Sequence, residues 1–139
     1  MKSILLLLIT ATFALADIEK ANAFAQHYMS LYNNKEGDKI FNELMYQVNV
    51  SEKILAMCKS HTSRFGSYTI SNPKVTPPSD EIIKQWSEGK DYGGKFGVLK
   101  LNLEPKYTIT FTSGEHNEHS ETITIGLVNG EYKVAVLSN

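Results

Sequence analysis

Residues 107–136, YTITFTSGEHNEHSETITIGLVNGEYKVAV, decide the fold. Tyr107, Ile109 and Phe111 alternate with threonines, then Ile123, Ile125 and Leu127 do the same, and Tyr132, Val134 and Val136 follow. A strand turns successive side chains to opposite faces, so each set reads as a strand with one buried face. Asn129-Gly130 stands between the last two sets. A two-residue type I′ turn needs positive φ at both positions, and Asn-Gly meets that demand at least cost. Leu99, Leu101 and Leu103 predict one more strand upstream, stopped by Glu104-Pro105. Tyr68 and Ile70 predict a short edge strand ending at Pro73. Together these predict an antiparallel sheet with one apolar face.

That face needs a cover, and the chain ahead of it supplies amphipathic helices. Ile18, Ala21, Phe24, Ala25, Tyr28, Leu31 and Tyr32 recur at helical spacing behind Asp17 as N-cap. A second helix is predicted from Asp38, with Ile40, Phe41, Leu44, Met45 and Val48 on one face. A third is predicted from Ser51, carrying Ile54, Leu55, Cys58 and His61 inward and stopping at Gly66. Asp80 to Ser87 reads as two further helical turns bearing Ile82, Ile83 and Trp86, and Gly89 to Gly97 as an irregular loop. The expected class is α+β, with N-terminal helices packed on a curved antiparallel sheet, as one domain over residues 17–139.

Residues 1–16 are set apart from that domain. Lys2 supplies a positive start, Ile4 to Ala16 is almost wholly apolar, and Ala14-Leu15-Ala16 offers the small residues that signal peptidase accommodates. The reading is a cleavable secretion signal cut between Ala16 and Asp17, and a secreted or periplasmic protein. The apolar run is shorter than the roughly 20 residues that span a bilayer, so no membrane association is expected after cleavage. Cleavage removes one of the 14 basic side chains and none of the 15 acidic ones, leaving a formal charge of −2. That balance argues against nucleic acid or an anionic membrane as partner. Cys58 is the only cysteine, so no internal disulfide can form. Stability must come from a core, for which 42% hydrophobic content is enough.

The element order, with the Gly37-Asp38 break after a long first helix and the closing strands 107–111, 121–125 and 129–134, resembles the cystatin-like cone of the nuclear-transport-factor-two-like superfamily. Arg64-Phe65-Gly66 and Gly130-Glu131-Tyr132-Lys133-Val134 resemble positions in small exported bacterial proteins of unassigned function, with Tyr132 where Trp is commoner. Residues 76–97 depart from that pattern as an insertion. The resemblance implies a concave pocket between helices and sheet, where enzymes of the superfamily place an Asp, Tyr or His. It also implies dimerisation through the outer sheet face. Here Thr108, Thr110, Thr112, Thr122 and Thr124 make that face polar, which favours a monomer. Fold of this kind does not select a function.

Candidate chemistry is sparse. Tyr28, Tyr32, Tyr68, Tyr107, Tyr132 and His61 are the inward-facing groups able to orient a ligand in such a pocket. No strand is expected to carry Asp or Glu on its apolar face, so the general base of a proton-transfer site is missing. Cys58 and His61 share a helix face, but a cysteine within an apolar stripe reads as structural. His116 and His119, flanked by Glu115 and Glu118, have spacing that can hold a transition metal, though a solvated hairpin loop gives the same pattern. Asp91 to Gly97 lacks the spacing of a phosphate loop. Gln47-Val48-Asn49-Val50 lacks the order of a cystatin protease-binding hairpin, and Asn49-Val50-Ser51 is a glycosylation acceptor only in a eukaryotic host. Trp86, Tyr92 and Phe96 form either a contact surface or a lid over the sheet. The expectation is a non-enzymatic exported domain, without cofactor, that binds a small apolar ligand or a protein partner. The alternatives are an enzyme using the Tyr/His pocket and a metal-binding protein through His116 and His119.

Overall fold

The architecture begins with a long helix, α1 (Lys2–Asn33), laid across a four-stranded antiparallel sheet. The computed structural model describes residues 2–139, with side chains described from residue 15 onward. The secretion signal expected over residues 1–16 therefore lies almost wholly outside the described side chains. Asp17 does not cap the helix, because α1 runs through it without a break. Residues 2–16 are part of the same continuous helix. No helix among the described residues is long and apolar enough to cross a membrane.

The sheet has the order β1–β4–β5–β6, from β1 (Ile70–Thr76), β4 (Tyr107–Ser113), β5 (His119–Val128) and β6 (Glu131–Val134). Ala21, Ala25, Tyr28, Leu31 and Tyr32 of α1 pack on Ile70, Ile109, Phe111 and Ile125, and all are buried. Phe111 is 0% exposed and is the bulkiest side chain so enclosed. Asn129 and Gly130 both take positive φ between paired Val128 and Glu131, as the turn chemistry predicts. The α+β class and the antiparallel pairing follow the sequence reading.

Three details differ from it. The edge strand does not stop at Pro73 but continues to Thr76. Asn72 adopts φ 52° and the register slips between Ser71 and Lys74, so proline sits in a bulge that needs no ladder hydrogen bond. The expected second helix is cut short. After α2 (Gly37–Lys39) the backbone widens into one π turn, Ile40–Leu44, and then extends, with Met45 bridging Val134 and Tyr46 N–H donating to the Val134 carbonyl at 3.0 Å. Finally, the expected run from Tyr132 to Val136 bends after Val134. Leu137–Ser138 (β7) pairs instead with β3 (Val98–Leu101), which also pairs with β2 (Lys90–Asp91), giving a separate three-stranded sheet in the order β2–β3–β7.

Against this smaller sheet packs α3 (Glu52–Thr62), capped by Ser51, whose side chain accepts from Ile54 N–H at 3.3 Å. Ile54, Leu99 and Val136 form a second core cluster, bordered by Met45, Val50, Cys58, Phe96 and Leu137. The short α4 (Asp80–Ser87), capped by Ser79, completes the upper wall. Gly37 is required where α2 meets α3, because a Cβ there would collide with the Thr62 carbonyl oxygen. Asn102 ties the two sheets together. Its amide donates to the Tyr46 and Val48 carbonyls at 2.6 and 3.0 Å, and its oxygen accepts from Val136 N–H at 2.8 Å.

Candidate functional site

The bend after Val134 and the early end of the π turn leave a gap between α3 and the two sheets. Met45, Ile54, Met57, Cys58, Phe96 and Leu99 line a cavity of about 490 Å³ there, closed on the sheet side by Ala135, Val136 and Leu137. A second chamber of about 310 Å³ adjoins it, sharing Met45, His61, Tyr92, Ala135 and Leu137 and reaching Tyr28, Phe65 and Glu121. Together they form one cleft with an apolar chamber and a more polar one. Its volume lies in the range of small-molecule sites, which combine mostly apolar walls with a few placed polar groups.

The sequence-derived candidates divide between three places. His61 lines both chambers, its ring edge-on to Phe65 with centroids 5.1 Å apart. Tyr28 lines the smaller chamber and stacks on Phe111 at 5.5 Å. Tyr32 lies behind it, stacked on Phe65 at 4.4 Å. Tyr107 and Tyr132 are not in the cleft. They meet each other edge-on at 6.1 Å, Tyr132 meets Phe24, and the Tyr132 hydroxyl donates to the Asp17 carbonyl at 3.3 Å. Burial and the nearby Asp17 push the Tyr132 phenol up to about 12.

Residues of the 76–97 segment take separate positions. Tyr92 borders both chambers and Phe96 the larger, with Gln85 of α4 donating to the Tyr92 hydroxyl at 2.7 Å and the Lys53 ammonium 4.5 Å from the Phe96 ring centre. Trp86, next to Gln85 on α4, is half-buried and lines neither chamber. Two of these three aromatics thus wall the cleft. His116 sits in the β4–β5 hairpin loop, where the Glu118 carboxylate accepts from its N–H at 2.8 Å, while His119 opens β5 and pairs with Ser113. Among the described residues, no three His, Cys, Asp or Glu side chains gather as a metal-holding group.

Glu121 is the residue the sequence reading passed over. It pairs with Phe111 across β4 and β5, so it stands on the inner face of the sheet, contrary to the expectation that no acid does. The alternation Glu121, Ile123, Ile125 within the expected strand 121–125 already carried that information, since residues two apart share a face. The Tyr68 hydroxyl donates to Glu121 Oε1 at 2.6 Å. Burial raises the Tyr28 phenol well above its ordinary range, and the charge of Glu121 adds to that. Tyr32 is raised by burial first, then by Tyr68 and by Glu121.

No family model, no curated protein and no solved structure matches this chain. Any functional reading therefore stands on the cleft itself. Cys58 has its thiol pushed up by burial, which keeps it protonated and poorly nucleophilic. What the cleft offers a ligand is apolar contact along α3 and, at its far end, one carboxylate among aromatic rings.

Proposed function

We propose that the chain is an exported, monomeric domain of the cystatin-like type that binds a small, largely apolar molecule in the cleft between α3 and the sheets. The observation carrying this reading is the larger chamber, about 490 Å³ in volume, walled by Met45, Ile54, Met57, Phe96 and Leu99 with no Lys or Arg in its lining. Apolar surface left uncovered costs on the order of 25 cal/mol per Å², so a ligand that covers it is bound favourably. The apolar leader ending in Ala14-Leu15-Ala16 supports export.

A native mass spectrum of the protein exported by its own host tests the reading. The expected result is a single chain beginning at Asp17 and carrying added organic mass that is lost on denaturation. An unmodified chain that also takes up no apolar molecule offered to it contradicts the proposal. A second reading, an enzyme with acid–base chemistry at the cleft, is favoured by Glu121, Tyr28 and His61 lining the same smaller chamber. His61→Ala separates the two, since binding survives that change while turnover does not.

A further inference from the structure

Among the described residues, the smaller chamber holds one carboxylate, with His61 as the only basic side chain in its lining. Glu121 is the only acid in the lining of either chamber, and neither lining contains Lys or Arg. The described hydrogen bonds engage its Oε1 through Tyr68, a neutral donor, and no described ion pair includes it. The Lys53 ammonium rests on Phe96, which lines the larger chamber and not the smaller. A half-buried carboxylate without a cation is costly, and a cation brought by a ligand removes that cost. The surroundings suit such a cation. Tyr28 and Phe65 line the same chamber with their rings edge-to-face and 6.3 Å apart, and aromatic faces attract ammonium groups through their quadrupoles.

Resting on the cleft reading above, we infer that the ligand is a cationic amphiphile, with an apolar tail along α3 and an ammonium head against Glu121. The two adjoining chambers match the two halves of such a molecule. The larger one is apolar, and the smaller holds the charge and the rings. An anionic amphiphile such as a fatty acid would place its carboxylate against Glu121 and be repelled. A neutral alcohol would gain only a hydrogen bond.

The test displaces the neutral dye N-phenyl-1-naphthylamine from the exported protein with decyltrimethylammonium, decanol or decanoate, each below its micelle concentration. The expected order is ammonium, alcohol, carboxylate, with the ammonium roughly tenfold or more ahead of the alcohol, as a desolvated charge pair supplies. Glu121→Gln removes that lead, while its amide oxygen can still accept from Tyr68 and so keeps the local geometry. Tyr68→Phe, which spares the charge, keeps the lead. Equal displacement by all three, or a lead that survives Glu121→Gln, overturns the headgroup inference and leaves the cleft reading intact. Failure of the dye itself to bind overturns the cleft reading, and the inference with it.

Discussion

Single side chains hold the cleft open more than any stretch of backbone does. Asn102 satisfies two carbonyls on the segment leaving the π turn and one N–H at the bend after Val134, so it fixes both walls at once. Asn33 works in the same way at the other end of the molecule. Its amide donates to the Ile70 carbonyl at 2.9 Å and its oxygen accepts from Ile70 N–H at 2.8 Å, pinning the end of α1 to the start of β1. Leaving such backbone groups unpaired costs about 1–3 kcal/mol each where they are buried. Because Asn102 is only half-buried, Asn102→Ala is expected to lower stability by about 2 kcal/mol, read as a shift of the urea midpoint at unchanged slope. The same variant should also weaken dye binding. Neither asparagine was legible as a clamp. Asn33 reads as a helix stop and Asn102 as a polar residue between leucines, because a side-chain bond spanning 34 or more positions leaves no local pattern.

At the level of elements, what was legible was what repeats. The apolar stripe of α1 from Ala21 to Tyr32, the alternation in β4 and β5, and the Asn129-Gly130 turn each obey a short period or a turn rule and formed as read, whereas Ile18 at the start of the stripe is exposed. The elements misread are those where a tertiary contact overrides the period. Met45 leaves the helical pattern to bridge Val134, and the strand from Tyr132 keeps its register with β5 as far as the Ala135 N–H bond to the Thr124 carbonyl at 2.8 Å, then leaves β5 for β3. Both departures border the cleft, which is why the site was less legible than the fold. The inner face of α1 also sets a pH limit. Tyr28 titrates well above its ordinary value of 10 because burial disfavours the phenolate. A raised folded value means that this stability is complete below pH 10 and is lost as pH rises beyond it. For Tyr28 alone the loss is about 1.4 kcal/mol per pH unit in that window. Urea midpoints between roughly pH 10 and 12 should therefore fall steeply, and Tyr28→Phe should flatten the fall. An unchanged slope in that variant would mean that the phenol reaches water freely.

On the scale of the whole molecule, one sheet is spent on the core under α1 and the other on the cleft under α3. The sequence reading expected a single sheet covered on its apolar face, with a concave pocket between that sheet and the helices. Splitting it between β6 and β7 creates the cavity, and the segment 76–97 supplies Tyr92 and Phe96 to its lining. The central claim is that this cavity receives an apolar molecule. Ala135 lies where the two chambers join, so Ala135→Trp fills the junction. The most direct measurement is titration of wild type and Ala135→Trp with N-phenyl-1-naphthylamine, with thermal melts confirming that both are folded. Saturable binding to the wild type, weakened at least about tenfold in the folded variant, is the predicted result. Equal binding by both proteins, or none by the wild type, would contradict the account.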